Sequence, residues 1–219
     1  MTGPARPGLD PRAAHTAAAL LAPPGALLCE GRPMGGPALL ALELDGDEDA
    51  RRAQAGLGAI PNTGLLDALL NLPLGLPVNR SALTDRERRV LARALTGCLD
   101  RQRSTLTRLA RQPARVALAV VTARRGFRDG LAGAGRFAPF CARALLLPRP
   151  PRDLTTACAE ADYYGIGLLV ATGESTVEVL VAPEPFDSTR RGSPHAWWFA
   201  ETAYQAHLDA SPARRNHSR

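Results

Sequence analysis

Lysine is absent from this chain: all 27 of its basic residues are arginine. That absence excludes a phosphate-cradling glycine-rich loop with its lysine, a Schiff-base lysine and the strand lysine of a protein kinase. Walker-type nucleotide hydrolases, pyridoxal enzymes and standard kinases go with them. Isoleucine occurs only at Ile60 and Ile166, and aromatic residues make up 5% of the chain. Together with abundant Ala, Gly and Pro, this pattern matches the codon usage of a GC-rich genome. Mutational bias therefore accounts for part of the net charge of +6, which would otherwise argue directly for a polyanionic partner.

Cysteine is scarce as well. Cys29, Cys98, Cys141 and Cys158 lie far apart, form no C-x-x-C pair and have no histidine at zinc-ligand spacing, so they are expected to be buried thiols. No apolar run reaches membrane length, and the run after Ala17 is broken by Pro23 and Pro24. Neither a spanning helix nor a signal peptide is expected, and a cytoplasmic location follows from that reading.

What is present is enough for one packed core: 219 residues, 45% of them apolar. The expected organisation is a single α/β domain over 14–208, with disordered tails over 1–13 and 209–219 that are rich in Pro, Gly or Arg. The pattern predicts a short helix over His15–Leu21, strands over Ala26–Glu30 and Ala38–Asp45, a helix from Asp49 to about Leu57 and a short helix over 64–71. Thr84 and Glu87 form a capping box that opens a long helix expected to run to about Arg111. Strand Val116–Thr122, a helical segment near 127–142, strand Ala144–Leu147, a helix Leu154–Tyr164 ended by Gly165, and strands over 167–171 and 176–181 follow. Ser193 caps a closing helix over 194–208 that begins at Pro194. Strands alternating with helices after residue 113 imply a three-layer α/β fold with a mixed, mostly parallel sheet flanked by helices.

The residues that carry chemistry begin with Glu30, Glu43, Asp45 and Gln54, set in LLCEGRP and LLALELDGDEDARRAQ. On one strand Glu43 and Asp45 share a face, and Glu30 on a neighbouring strand could approach them. Three carboxylates gathered in that way would hold Mg²⁺, which polarises a phosphodiester and activates water. The arrangement resembles the PD-(D/E)XK nuclease superfamily, in which an acid on one strand precedes an E-x-K on the next and the following helix often carries a glutamine. The resemblance covers roughly residues 15–57, with a compatible strand and helix order over 113–181. It implies a metal-dependent phosphodiesterase with Glu30, Glu43, Asp45 and Gln54 as catalytic residues, the three acids as metal ligands. Asp45 stands where that family has its lysine, and Glu30 where it has Asp, so the core would be catalytically degenerate unless Arg51 or Arg52 compensates. The competing reading of Asp45–Asp49 is a solvated turn whose acids cap a helix.

Arginines supply the second signal. Arg86, Arg89 and Arg93 recur at helical spacing and would face the phosphates of DNA or RNA; Arg101, Arg108 and Arg111 continue the series. The segment LTDRERRVLARALTG resembles the opening helix of a LuxR-type helix-turn-helix, but no recognition-helix pattern follows it. A looser group, Arg124, Arg125, Arg128 and Arg136, is interleaved with Phe127, Phe137 and Phe140. Trp197 and Trp198 are adjacent, so they cannot both face one core stripe. Trp197 is expected inside the closing helix and Trp198 on a face open to a protein partner. Two classes stand side by side: a nucleic-acid-associated protein with a nuclease-like core, and a non-enzymatic α/β module for protein–protein interaction.

Overall fold

The structure, a computed structural model, describes residues 11–187 and 192–211; most of both expected tails lies outside them. In chain order the elements are α1 (Pro11–Leu21), β1 (Leu27–Gly31), β2 (Ala38–Leu44), α2 (Gly46–Ala55), α3 (Thr63–Leu70) and β3 (Pro77–Asn79). A 3₁₀ turn (Arg80–Ala82), α4 (Asp85–Ala92), β4 (Leu99–Arg101), β5 (Thr105–Arg108) and β6 (Ala114–Thr122) come next. The chain finishes with α5 (Phe127–Gly135), β7 (Ala142–Leu147), α6 (Leu154–Tyr163), β8 (Gly167–Ala171), β9 (Val177–Val181) and α7 (Pro194–Ala210). Among the described residues no helix is long and apolar enough to cross a membrane. The described chain falls into two compact units, 11–42 with 116–187 and 43–115 with 192–211. The chain passes from one to the other within β2 and within β6.

The first unit is built on a six-stranded sheet of order β1-β2-β6-β7-β8-β9. Pairing is parallel through β6, β7 and β8 and antiparallel for β1 with β2 and β8 with β9. Alternation along β7 decides the layers, because successive side chains point to opposite faces. Ala144 and Leu146 pack with Leu118, Val120 and Leu169 against α1, whose buried Ala13, Ala14, Ala17 and Ala18 let the helix lie close to the strands. Leu145 faces the other way, under α5. A Cβ added to Gly130 of that helix would sit 2.5 Å from Leu145 Cδ1, so glycine is what allows this approach. The expected α/β class, with a mixed sheet parallel through its central strands and helices on both faces, is what the chain forms.

The second unit holds a three-stranded antiparallel sheet, β3-β5-β4, and the helices α2, α3, α4 and α7. Its core gathers Ile60, Leu66, Leu69, Leu91, Cys98, Leu106 and Trp197. The long helix expected from Thr84 to Arg111 stops at Ala92, and β4 and β5 occupy its second half. The capping box at Thr84 and Glu87 is present. The helix cannot continue through Gly97, which adopts φ +85 and lies so close to α2 that a Cβ would be 2.8 Å from the Ala55 Cβ. Beyond it the Thr-rich segment Thr105–Arg108 pairs on both edges, and those ladder bonds outweigh a weak helical period.

Candidate functional site

Each expected site residue has a definite place. Register sets Glu30 opposite Leu39, four residues before Glu43 on β2, which is about 13 Å of extended strand. Glu43 is ion-paired with Arg115. Asp45 is the N-cap of α2, accepting from the Glu48 N–H at 3.0 Å, and it also pairs with Arg111 at 3.0 Å. Gln54 lies exposed on α2. Glu43 and Asp45 are thus held by separate arginines and a helix end rather than by each other. Among the described residues no group of three or more His, Cys, Asp or Glu side chains is placed to hold a metal ion. Arg86 and Arg89 are exposed on α4, while Arg93 is its C-cap and has left helical geometry. Arg101 donates to the Leu91 and Ala94 carbonyls, and Arg108 to those of Ala110, Leu69 and Leu72, so these two are tied to backbone rather than lined up with α4. Trp197 is buried, and Trp198 is half-buried against the same core.

The most conspicuous cluster of charge is buried. Arg52 is fully enclosed, and all five of its N–H donors are used. Nε meets Glu48 at 2.7 Å, Nη1 meets Gly58 O at 3.2 Å and Glu201 Oε2 at 2.8 Å, and Nη2 meets Arg111 O at 2.8 Å and Glu201 Oε1 at 2.7 Å. Glu201 also accepts the Ile60 N–H at 2.9 Å and the Trp197 indole N–H at 2.8 Å. Burial pulls the Glu48 carboxyl upward. Hydrogen bonds from Arg51 and Arg52, with their charges, outweigh this and hold it below the ordinary carboxylate range. With its hydrogen bonds satisfied and its three side chains buried, this triad of Glu48, Arg52 and Glu201 ties α2, α7 and the 56–60 turn together.

A different cluster is open. The loops that leave the carboxyl ends of the parallel strands β6 and β7 enclose a groove of about 630 Å³. Arg124 and Arg125 enter it from the first loop, Arg149 and Arg152 from the second, and no acidic side chain lines it. All four arginines are exposed, and none has an ion-pair partner among the described residues. Gly126, in the groove wall, is the N-cap of α5 and offers no side chain to its first-turn N–H groups, so their partial positive charge adds to that of the arginines. The Pro148, Pro150 and Pro151 backbone stiffens the second loop and limits the conformational entropy lost when a ligand orders it. Arg124 also lines an adjoining groove of about 430 Å³ with Glu30, Arg32, Ala38 and Thr122. That second groove is where Glu30 actually lies.

Arg124 and Arg125 group in the sequence with Arg128 and Arg136, whereas in the fold they share a groove with Arg149 and Arg152. The signal that would have found Arg149 and Arg152 is their place: two arginines in a proline frame directly after a strand whose last four residues are buried, where loops build ligand sites. No family model matches the chain, and no curated protein or solved structure matches it. The class rests on fold and site alone: an α/β protein with an arginine-lined groove at the carboxyl edge of its parallel strands.

Proposed function

We propose that this chain is a nucleic-acid-associated protein that grips a phosphate backbone in the groove of Arg124, Arg125, Arg149 and Arg152. The observation that carries the reading is the charge of that groove: four exposed arginines, no lining carboxylate and an uncapped helix N-terminus beside them. Like charges held this close repel one another, and a polyanion relieves that repulsion while releasing its own counterions. Arginine suits the task because its planar fork engages two phosphate oxygens at once. Such contacts read charge and backbone spacing, so the binding is expected to be insensitive to sequence.

The α4 arginines support this role less well. Asp85 and Glu87 stand on the same helix turn, Arg88 is bound to Asp85, and Arg89 and Arg93 border an apolar groove with Ile60, Leu65, Val90 and Leu95. No catalytic step is part of the proposal. A fluorescein-labelled duplex of mixed sequence, followed by anisotropy at low salt, tests it. Wild type should bind, and the Arg149→Gln/Arg152→Gln variant should bind at least tenfold more weakly, as loss of two charge-assisted contacts implies. A wild type that leaves the anisotropy unchanged at low salt would overturn the reading.

A further inference from the structure

A second concave site lies in the same unit, between α5 and α6, and its chemistry differs from that of the arginine groove. The cavity is about 360 Å³, at the small end of the range for organic ligands. Leu131 and Ile166 give it an apolar floor, Tyr164 forms an aromatic wall, and Arg128, Arg143 and Glu160 supply the charges. Arg143 rises from β7, where one Nη2 hydrogen bond of 2.5 Å to the Tyr164 carbonyl anchors it. Its Nε is buried and donates to no acceptor among the described residues. A buried guanidinium N–H without an acceptor is costly, and an acceptor arriving from the cavity would remove that cost.

We propose that this cavity binds a small organic carboxylate with an apolar body. Arg143 takes the carboxylate, a modest turn of its guanidinium bringing Nε onto one oxygen and Nη onto the other in the side-on grip that a carboxylate matches. Arg128 adds charge from the first turn of α5. Leu131, Ile166 and the Tyr164 ring bury the apolar body. Glu160 limits the net lining charge to a single positive one, which favours a monocarboxylate over a phosphate dianion and leaves an acceptor for a ligand hydroxyl or amine.

The test is an amide chemical-shift titration of the full chain with 3-phenylpropionate, its alcohol 3-phenyl-1-propanol and inorganic phosphate. The carboxylate should shift Arg143, Tyr164 and Ile166 saturably, and the alcohol should bind at least tenfold more weakly, as expected of a lost charged hydrogen-bond pair. Arg143→Gln should weaken the carboxylate by a similar factor. Ala132→Phe, on the exposed side of α5 where it lines the cavity, should block binding with Arg143 intact and the fold undisturbed. Shifts that fail to saturate by about 10 mM, where even weak millimolar affinity would show, would overturn the proposal. So would phosphate binding as tightly as the carboxylate, or shifts confined to the Arg124–Arg152 loops.

Discussion

Replacing Glu201 by glutamine is the sharpest perturbation of the buried triad. The side chain keeps its shape but loses its charge, and an NH₂ takes the place of one oxygen. Whichever way the amide turns, that NH₂ faces two donors. On the Oε1 side they are Arg52 Nη2 and Trp197 Nε1, and on the Oε2 side Arg52 Nη1 and the Ile60 N–H. Two hydrogen bonds become donor-to-donor contacts, and Arg52, which has no solvent exposure, keeps Glu48 as its one carboxylate partner beside the remaining amide oxygen and the Gly58 and Arg111 carbonyls. Breaking a buried pair by removing one partner typically costs about 3–5 kcal/mol, and this geometry places Glu201→Gln in that range. Both tryptophans belong to the second unit, so their fluorescence in a urea titration reports on the part of the chain that should be weakened. The Arg52→Met/Glu201→Met pair removes both charges and should cost clearly less than the sum of its single variants. A Glu201→Gln cost below about 1 kcal/mol, or an additive pair, would show that the triad does not carry the stability assigned to it.

Acid should act on the same unit through Glu48. Its folded pKa lies below the ordinary 4.5, so the stability it contributes is fully present above about that pH and is lost as pH falls through the lower folded value. Tryptophan-monitored urea midpoints between about pH 5 and pH 2.5 should drop in wild type, and the drop should be smaller in Glu48→Gln. Gly97→Ala should destabilise by about 1–3 kcal/mol, because it forces a side chain into φ +85 against Ala55; an unchanged midpoint in the same titration would contradict this. Thiol labelling of the native protein at pH 8 should modify Cys158 first, since burial pushes Cys29 up to about 11 and Cys141 up to about 12, and Cys98 is buried too; prompt reaction at more than one site would contradict it.

Local patterns in the sequence carried most of the elements. The apolar run ALLALEL, the Thr84 capping box and the Ser193-Pro194 opening each act within a few residues, and each appears where expected. Failures came where distant contacts decide. The Thr105–Arg108 strand exists because Pro77–Asn79 and Leu99–Arg101 pair with it, and a helical period of apolar residues over the same stretch carried no trace of those partners. Arg52 and Glu201 are 149 residues apart, and an arginine in DARRAQ reads as solvated until the fold buries it. The partners of the expected acids were equally hidden: register sets Glu30 beside Leu39, and arginines from later in the chain pair with Glu43 and Asp45. Trp197 is buried and Trp198 is half-buried against the same core, where the sequence pattern put Trp198 on an open face. The arginine groove draws on two loops about 25 residues apart, each unremarkable alone.

Salt dependence measures most directly whether phosphates are gripped at the carboxyl edge of β6 and β7. Each phosphate neutralised on duplex DNA contributes roughly 0.9 to the slope of log affinity against log salt. Replacing Arg124, Arg125, Arg149 and Arg152 by glutamine should therefore reduce the wild-type slope by about 3 to 4, while Arg86→Gln/Arg89→Gln/Arg93→Gln should leave it nearly unchanged. An unaltered slope in the groove variant, or a loss of about 3 confined to the α4 variant, would contradict the account.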